Sequence, residues 1–279
     1  MASENAPAPR RTLTALQSGI VGAFAGTTEV LINQPFVGWK NAVQQSTKID
    51  WRPNFLYRGV VINSASIAPI TAVQFGVNGF LTPILRGNKA EASSGDRLLA
   101  ALVAGGASAV VSTPAELVMI QQQNTGKALF ETAKIVMREH GARIFYKGLV
   151  PTAVRESVFT CGYLGLAPVL NEMLLKTTLG NSDPGRLTAL VTASIVAGQI
   201  AAFVTQPFDS VKTRMQGDIG AVGRPARYTT LAKSFSLMTK ELGVRGLYAG
   251  IIPRGLRMVS AVFVFQIFGR LYEDLLFPQ

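Results

Sequence analysis

A proline-centred stretch at residues 205–216 (TQPFDSVKTRMQ) is the feature that most limits how this chain can fold. It follows a charge-free run at residues 187–206, which has about the 20 residues that a membrane-spanning helix needs. Pro207 predicts a kink in such a helix, because proline removes one backbone donor and clashes with the preceding turn. Asp209 and Lys212 then lie on one helical face just past the kink. Because charges are costly in lipid, both side chains are expected to face the interior of a helix bundle and to find partners there.

The same stretch occurs twice upstream in weaker form. The copy around Pro35 reads QPFVGWKNAVQ, and the copy around Pro114 reads TPAELVMIQQQ. In all three copies a glutamine follows the proline by nine residues, and an aromatic-x-glycine element occurs further downstream. The glutamines are Gln44, Gln123 and Gln216, and the elements are Tyr57-Arg58-Gly59, Tyr146-Lys147-Gly148 and Tyr248-Ala249-Gly250. A period of roughly 80 to 100 residues exceeds that of solenoids, and it suits a unit of two membrane helices joined by a loop.

This pattern predicts an all-α membrane protein with six transmembrane helices in three tandem two-helix repeats, with short surface helices on one side of the membrane. The membrane helices are expected at about residues 13–44, 59–85, 98–123, 148 onward, 187–216 and 250–276, and the surface helices at 127–138 and 230–241. The fourth membrane helix is expected to be interrupted at Arg155 and Glu156. The expected divisions are an N-terminal tail at 1–12 and repeats at 13–90, 91–180 and 181–279.

Composition limits the classes of function. The chain is 48% hydrophobic and only 15% charged, whereas about a quarter of the residues are charged in ordinary soluble proteins. The formal net charge is +11, but the basic residues lie mainly between apolar runs, which favours anionic lipid and anionic solutes over nucleic acid as partners. Cys161 is the only cysteine and His140 the only histidine, so an internal disulfide is excluded and a metal centre is disfavoured. The sequence therefore predicts no enzyme and no cofactor. The first residues lack the apolar core of a signal peptide, so any import is expected to use internal signals.

The triplicated P-x-[DE]-x-x-[KR] pattern, with an aromatic-[KR]-Gly element after each copy, resembles the mitochondrial carrier family. The resemblance covers about residues 13–276. It implies a monomeric, multi-pass transporter of the mitochondrial inner membrane that exchanges or imports a small anionic or zwitterionic metabolite by alternating access. It also places both termini in the intermembrane space and the long loops and surface helices in the matrix, which agrees with the lysines and arginines in those loops.

The resemblance implies a gate of ion pairs at the matrix end, in which the acid of each motif pairs with the base of the next. Carried onto this chain, the scheme pairs Glu116 with Lys212 and Asp209 with Lys40. The alternative to a gate is that these charged side chains snorkel to the membrane surface at a helix end. The positions that match the bracing glutamines and the helix kinks of the family are Gln44, Gln123, Gln216, Pro35, Pro114 and Pro207.

Two departures from the family pattern accompany this gate. The third ion pair would join Val37 to Met119, and both partners have lost their charge, so neither charge is left unpaired in the interior. At the opposite end, the even-numbered helices of the family carry an aromatic-[DE]-x-x-[KR] element that is not found here. Only Arg270 and Glu273 carry charge near the expected register; the other matching positions are Gly79, Thr82, Pro168 and Asn171.

The solute positions of the family lie seven residues after the glycine of each aromatic-[KR]-Gly element. They fall on Ser66, on Arg155 with its neighbour Glu156, and on Arg257. Intramembrane charge needs a reason, and an arginine fork suits a carboxylate or a phosphate. An arginine followed by an acid on the fourth helix resembles the amino-acid and carnitine type of carrier.

Several alternatives stay open for these charges. An Arg155–Glu156 pair, or a pair between Arg257 and Glu29, could simply hold the bundle together. The chain could also be a degenerate carrier that serves as a structural or assembly subunit, or a carrier of another anion such as a di- or tricarboxylate or a nucleotide.

The glycine elements also predict lipid sites. A base next to a helix N-terminus is favourable for phosphate, and in the family these sites bind cardiolipin. The expected lipid-binding residues are Arg58, Gly59, Lys147, Gly148 and Gly250. Ala249 replaces the base in the third copy, so the third site is expected to be the weakest.

Overall fold

The computed structural model describes residues 15–87, 93–177, 182–221 and 224–277. Apart from one isolated bridge between Ala221 and Arg224, the regular structure of these residues is helical. The predicted tail at 1–12 lies outside the described residues. The helices are α1 (Ala15–Gln45), α2 (Pro53–Leu56), α3 (Val60–Arg86), α4 (Ser94–Thr125), α5 (Leu129–His140), α6 (Leu149–Cys161), α7 (Ala167–Leu175), α8 (Asp183–Gly217), α9 (Leu231–Leu247) and α10 (Ile251–Leu276), with a 3₁₀ turn at Ala142–Tyr146 and a π turn at Gly162–Leu166.

The prediction of an all-α membrane protein with six long helical segments is confirmed. These segments are α1, α3, α4, the pair α6–α7, α8 and α10. Four helical spans in the described part of the chain are long and apolar enough to cross a membrane, at Pro53–Arg86, Gly95–Thr125, Pro184–Gly217 and Ile251–Leu276. The short helices α5 and α9 lie where amphipathic surface helices were expected, and the first repeat has only the four-residue α2 between its long helices.

The expected interruption of the fourth segment at Arg155 and Glu156 is wrong. Helix α6 runs through both residues, because their charges find partners inside the bundle and leave the backbone undisturbed. The irregularity is the π turn at Gly162–Leu166, which begins six residues after Glu156. Gly162 packs so closely on α8 that an added Cβ would lie 2.9 Å from the Cβ of Ala201. The fold therefore deviates from α-helix at a close approach of two helices, and π turns in helices often occur at special sites.

A ring of glycine contacts joins the three repeats. Helices α3, α6 and α10 each begin after a glycine with positive φ: +81° at Gly59, +84° at Gly148 and +78° at Gly250. Gly59 packs on α4, Gly148 packs on α8 and Gly250 packs on α1, so that the three contacts form a closed ring. A Cβ at these three positions would meet, respectively, Met119, Gln216, and Lys40 with Gln44. The backbone thus approaches closely at three equivalent points where only glycine fits without strain.

The bundle has an apolar outside and a polar inside. Large apolar side chains such as Phe80 on α3 and Ile252 on α10 are exposed. The side chains that are almost fully buried include Lys212, Gln34, Gln44, Gln206 and Gln216. This inversion of the usual pattern is what a helix bundle in lipid requires, because every polar group must then be satisfied by the protein itself.

Candidate functional site

Both ion pairs expected from the motif register are present in the structure. Lys40 on α1 lies 2.9 Å from Asp209 on α8, and Lys212 on α8 lies 2.7 Å from Glu116 on α4. Asp209 and Lys212 are 1% and 2% exposed, so these are interior contacts rather than charges that snorkel at a helix end. The prolines place them: each acid follows the proline in the middle of its helix by two residues.

The third pair is apolar, as its sequence requires. Val37 and Met119 are both buried, at 5% and 6% exposure. Met119 packs over Gly59, whose added Cβ would lie 2.5 Å from the Met119 Cγ. Because both charges are absent together, the interior carries no orphan acid or base at this point.

Arg155 does not stand apart as a solute contact. Its Nη2 atom lies 2.8 Å from Glu116 Oε1 and 2.6 Å from Glu156 Oε1, and its Nε atom lies 3.5 Å from Asp209 Oδ1. The side chain is only 15% exposed. Two predicted solute residues, Arg155 and Glu156, are therefore joined to the predicted gate residues in one cluster. We call the whole group the ion cluster, and it comprises Lys40, Glu116, Arg155, Glu156, Asp209, Lys212 and Arg254.

Arg254 is the member of the ion cluster that neither the gate scheme nor the solute positions pick out. Its Nη2 atom donates to Thr205 Oγ1 at 2.7 Å and its Nη1 atom donates to Gln206 Oε1 at 3.1 Å. Its Nη1 atom also lies 3.9 Å from Asp209 Oδ2. The signal in the sequence was its position four residues after Gly250, which places both residues on one face of α10.

The glutamines of the motif behave differently from one another. Gln44 donates to Asp209 Oδ2 at 2.8 Å and so braces the Lys40–Asp209 pair, as expected. Gln123 instead accepts from Asn41 at 2.7 Å, because the base position on its own helix is occupied by Met119 and there is no ion pair to brace. Gln216 donates at 3.3 Å to the backbone carbonyls of Thr113 and Lys147. The expectation that all three brace ion pairs is therefore wrong for Gln123 and Gln216.

The residue before the proline was not singled out from the sequence, yet it has a defined role in two repeats. Gln34 donates to the backbone carbonyl of Arg58 at 2.9 Å and accepts from Asn63 at 2.9 Å. Gln206 repeats this arrangement, donating to the carbonyl of Ala249 at 2.6 Å and accepting from Arg254. Gln34 thus joins the proline region of α1 to the start of α3, and Gln206 joins the proline region of α8 to the start of α10. The glutamine–proline dipeptide in copies one and three was the available signal.

The third predicted solute residue, Arg257, is the most accessible charge of the central region. Its Nη2 atom lies 3.2 Å from Glu29 Oε1, and Asn33 donates to the same oxygen at 3.2 Å. The Arg257 side chain is 41% exposed, whereas the Glu29 side chain is 6% exposed. Ser66, at the same register on α3, donates its hydroxyl to the backbone carbonyl of Asn63 at 2.9 Å. The Arg257 guanidinium is thus partly exposed, and it lies next to a buried carboxylate.

The predicted lipid bases are turned towards helix ends. Arg58 donates to the carbonyl of Gln123 at 3.4 Å, and Lys147 donates to the carbonyl of Asp218 at 2.5 Å. Both carbonyls lie at the C-terminal ends of long helices, where a cation compensates unpaired carbonyl groups. Partial burial lowers the pKa of Lys147, and the charge of Asp218 offsets part of that effect.

At the opposite end of the bundle, the charges of the family's aromatic-[DE]-x-x-[KR] element are missing from α3 and α7, where Gly79, Thr82, Pro168 and Asn171 stand in their place. Arg270 and Glu273 form no ion pair in the described part of the chain, as their departure from the family register suggested. Helices α1 and α10 are joined instead by a hydrogen bond of 2.8 Å between Thr28 and Tyr272, with the ring of Phe24 lying 5.5 Å from that of Tyr272.

Comparison with known proteins shows which family the chain resembles. A family model described as Mitochondrial carrier protein matches residues 90–178 and 183–278. The calcium-dependent mitochondrial ATP-magnesium/phosphate carrier protein 3 of Arabidopsis thaliana is 27% identical over 269 residues, which are 91% of this chain and 54% of that protein. The probable mitochondrial 2-oxodicarboxylate carrier of Dictyostelium discoideum is 27% identical over 271 residues, which are 90% of this chain and 88% of that protein. A mitochondrial adenyl nucleotide antiporter of Danio rerio is 28% identical over 220 residues, which are 75% of this chain and 44% of that protein. The chain thus spans about half the length of the first and the third of these relatives.

Proposed function

The chain belongs to the mitochondrial carrier family, and on that basis we propose that it carries a small carboxylate-bearing, zwitterionic solute of the amino-acid or carnitine type across the mitochondrial inner membrane. Members of this family are transporters rather than enzymes. The transport step is alternating access, with a solute site in the middle of the bundle and no bond made or broken.

The observation that carries the proposal is the pair of Arg257 and Glu29. A half-exposed guanidinium offers its fork to a carboxylate, and the buried acid beside it can take an ammonium group. A zwitterion can therefore replace both halves of the internal pair without leaving a charge unpaired in the interior. Ser66, at the equivalent position of α3, adds a hydroxyl group to this site. Arg155 and Glu156 complete the predicted set at the boundary between the site and the ion cluster.

The ion cluster supplies the gate in this proposal. The pairs Lys40–Asp209 and Glu116–Lys212 hold α1, α4 and α8 together at one end, and Gln44 strengthens the first pair. We assign this end to the matrix, because the basic loops follow it along the chain. Cardiolipin at the starts of α3, α6 and α10 is part of the same proposal, and it requires Arg58 and Lys147 to share their protons between carbonyl groups and a lipid phosphate.

A dicarboxylate is the second candidate for the solute. It is favoured by the relative that this chain matches over 88% of that protein's length, which is named as a probable 2-oxodicarboxylate carrier. Arg257 and Arg155 would then each bind one carboxylate, and Glu29 would have no positive charge on the solute to meet.

The test is uptake by the purified protein in liposomes that are loaded with unlabelled solute. Labelled amino acids, carnitine, 2-oxodicarboxylates, ATP-magnesium and phosphate are offered in turn. We expect exchange of a zwitterion that is abolished by Arg257→Ala and by Glu29→Gln. Arg270→Ala is the matched control, because this arginine lies on the same helix, is exposed and has no ion pair among the described residues.

Two other results would overturn the zwitterion. Dicarboxylate uptake that survives Glu29→Gln but not Arg257→Ala would establish the second candidate. Absence of uptake for every solute, in a protein that still unfolds cooperatively, would point to a structural or assembly subunit, the reading that the missing charges at the opposite end favour.

A further inference from the structure

Arg155 lies at a solute position by register but makes its contacts with the gate. It follows Gly148 by seven residues, as Arg257 follows Gly250. Its guanidinium nevertheless reaches Glu116 on α4, Asp209 on α8 and its own neighbour Glu156. In the described part of the chain, Arg155 is the one cation that forms ion pairs with both Glu116 and Asp209; Lys212 pairs with Glu116 at 2.7 Å and Lys40 with Asp209 at 2.9 Å.

The gate lacks one of the three ion pairs of the family scheme, because Val37 and Met119 stand in place of an acid and a base. We call a charged contact that holds the gate helices together a strut. We propose that Arg155 replaces the missing third ion pair and is a positioning residue of the matrix gate. This inference rests on the proposed function, because it assigns a role within the same carrier. The replacement joins α6 to α4 and α8, whereas the lost pair would have joined α1 to α4. An anionic solute that competes for Arg155 would then act on the gate directly.

The charges of the ion cluster are consistent with this replacement. The cluster holds four cations and three anions when Arg155 and Glu156 are included, and each of the three acids has at least one cation within 4 Å. Glu156 has Arg155 as its one ion-pair partner in the described residues and is 7% exposed. Removal of Arg155 alone would therefore leave a buried acid without its cation, and a clean test must remove Glu156 as well.

The test compares accessibility of the central cavity from the matrix side. Cys161 is the only cysteine, so Cys161→Ser gives a cysteine-free background in which Ser66→Cys places one thiol at the solute level. The protein is reconstituted in one orientation, and a membrane-impermeant maleimide is added from the matrix side. With a charge-assisted strut worth roughly 1.5 kcal/mol, Arg155→Met with Glu156→Gln is expected to raise the labelling rate about tenfold.

Rescue is the sharper part of the test. Adding Val37→Asp with Met119→Lys restores an ion pair at the third position, and it should return the labelling rate to within about twofold of the parent. The matched control is Val37→Asn with Met119→Gln, which adds polar groups of similar size without charge and should leave labelling fast. Arg155→Lys is a further variant in case the double change does not fold; its single ammonium cannot reach both acids, so it should give a smaller rise in the labelling rate.

The outcomes separate this inference from the solute proposal. Unchanged labelling in Arg155→Met with Glu156→Gln, together with loss of solute exchange when the same two changes are made in a chain that keeps Ser66, would make Arg155 a solute contact and overturn its role in the gate. A raised rate that the charged pair at positions 37 and 119 does not reverse would also overturn it. A raised rate that the charged pair does reverse supports the strut even if no zwitterion is transported, because labelling does not depend on the identity of the solute.

Discussion

Asp209 is the residue whose loss should cost the most, and its contacts allow the cost to be worked out. It lies 2.9 Å from Lys40, accepts from Gln44 at 2.8 Å, and lies 3.5 Å from Arg155 and 3.9 Å from Arg254, at 1% exposure. Asp209→Asn leaves several buried cations without their shared acid. Breaking a buried pair in this way costs about 3 to 5 kcal/mol. At roughly 2 to 4 °C per kcal/mol, the melting temperature should fall by about 6 to 20 °C.

Exchanging the charges of the pair is the obvious rescue, and the structure predicts that it fails. Lys40→Asp with Asp209→Lys restores one attraction, worth about 4 kcal/mol at 4 Å if the effective dielectric constant is 20. The same change places a cation next to Arg155 and Arg254, which adds two repulsions of similar size. The exchanged protein should therefore be no more stable than Asp209→Asn.

The assay is thermal unfolding followed by intrinsic fluorescence. Trp39 and Trp51 are the only tryptophans, their rings lie 5.7 Å apart, and Trp39 directly precedes Lys40 in the chain. Val37→Ala is a control for changes in α1 packing that leave the charges intact. Recovery of the parent melting temperature by the exchanged pair would refute the reasoning, because it would mean that neither arginine acts on position 209.

Three further predictions concern the backbone ring and its neighbours. Gly59→Ala should lower the melting temperature more than Gly148→Ala: both glycines precede a long helix in the left-handed region, at φ +81° and +84°, but the added Cβ would lie 2.5 Å from Met119 Cγ in the first and 3.3 Å from Gln216 Cγ in the second. Gln34→Leu should cost about 2 kcal/mol in unfolding free energy, because it removes two hydrogen bonds worth about 1 kcal/mol each, and denaturant unfolding would measure this. Ala249→Arg should enlarge the rise in melting temperature that cardiolipin gives, since it adds the base that the third glycine element lacks; an unchanged rise would speak against a lipid site there.

The sequence sufficed for the fold and for the two ion pairs. The three prolines and the three glycine elements set the register of the helices, and the resemblance to the carrier family, carried onto that register, implied which charges pair. The pairs Lys40–Asp209 and Glu116–Lys212 that it implied are both present in the structure. The absence of charge at Val37 supported the same scheme, since an isolated buried charge would have been costly.

The contacts of the long side chains could not be predicted in the same way. Register fixes the face of α6 on which Arg155 lies, but a long side chain in the interior can turn towards the solute level or towards the gate. Which of the two it chooses depends on where unpaired acids lie in three dimensions, and Glu116 and Asp209 supply them here. The same freedom turned Gln123 and Gln216 away from the ion pairs and towards other groups.

Backbone symmetry and side-chain asymmetry have different physical causes in this bundle. Equivalent glycines with positive φ precede α3, α6 and α10 because each repeat brings its backbone against the next, where an added Cβ would lie 2.5 to 3.3 Å from a neighbouring side chain. Charges are under no such constraint, since what matters in the interior is that every acid has a base within reach, whichever repeat provides it. The acid and the base of the third ion pair can therefore both be replaced by apolar residues while the ring of helices stays intact. Arg155 can then hold Glu116 and Asp209 from a helix that the three-fold pattern does not assign to the gate, because its reach, rather than its repeat, determines which acids it binds.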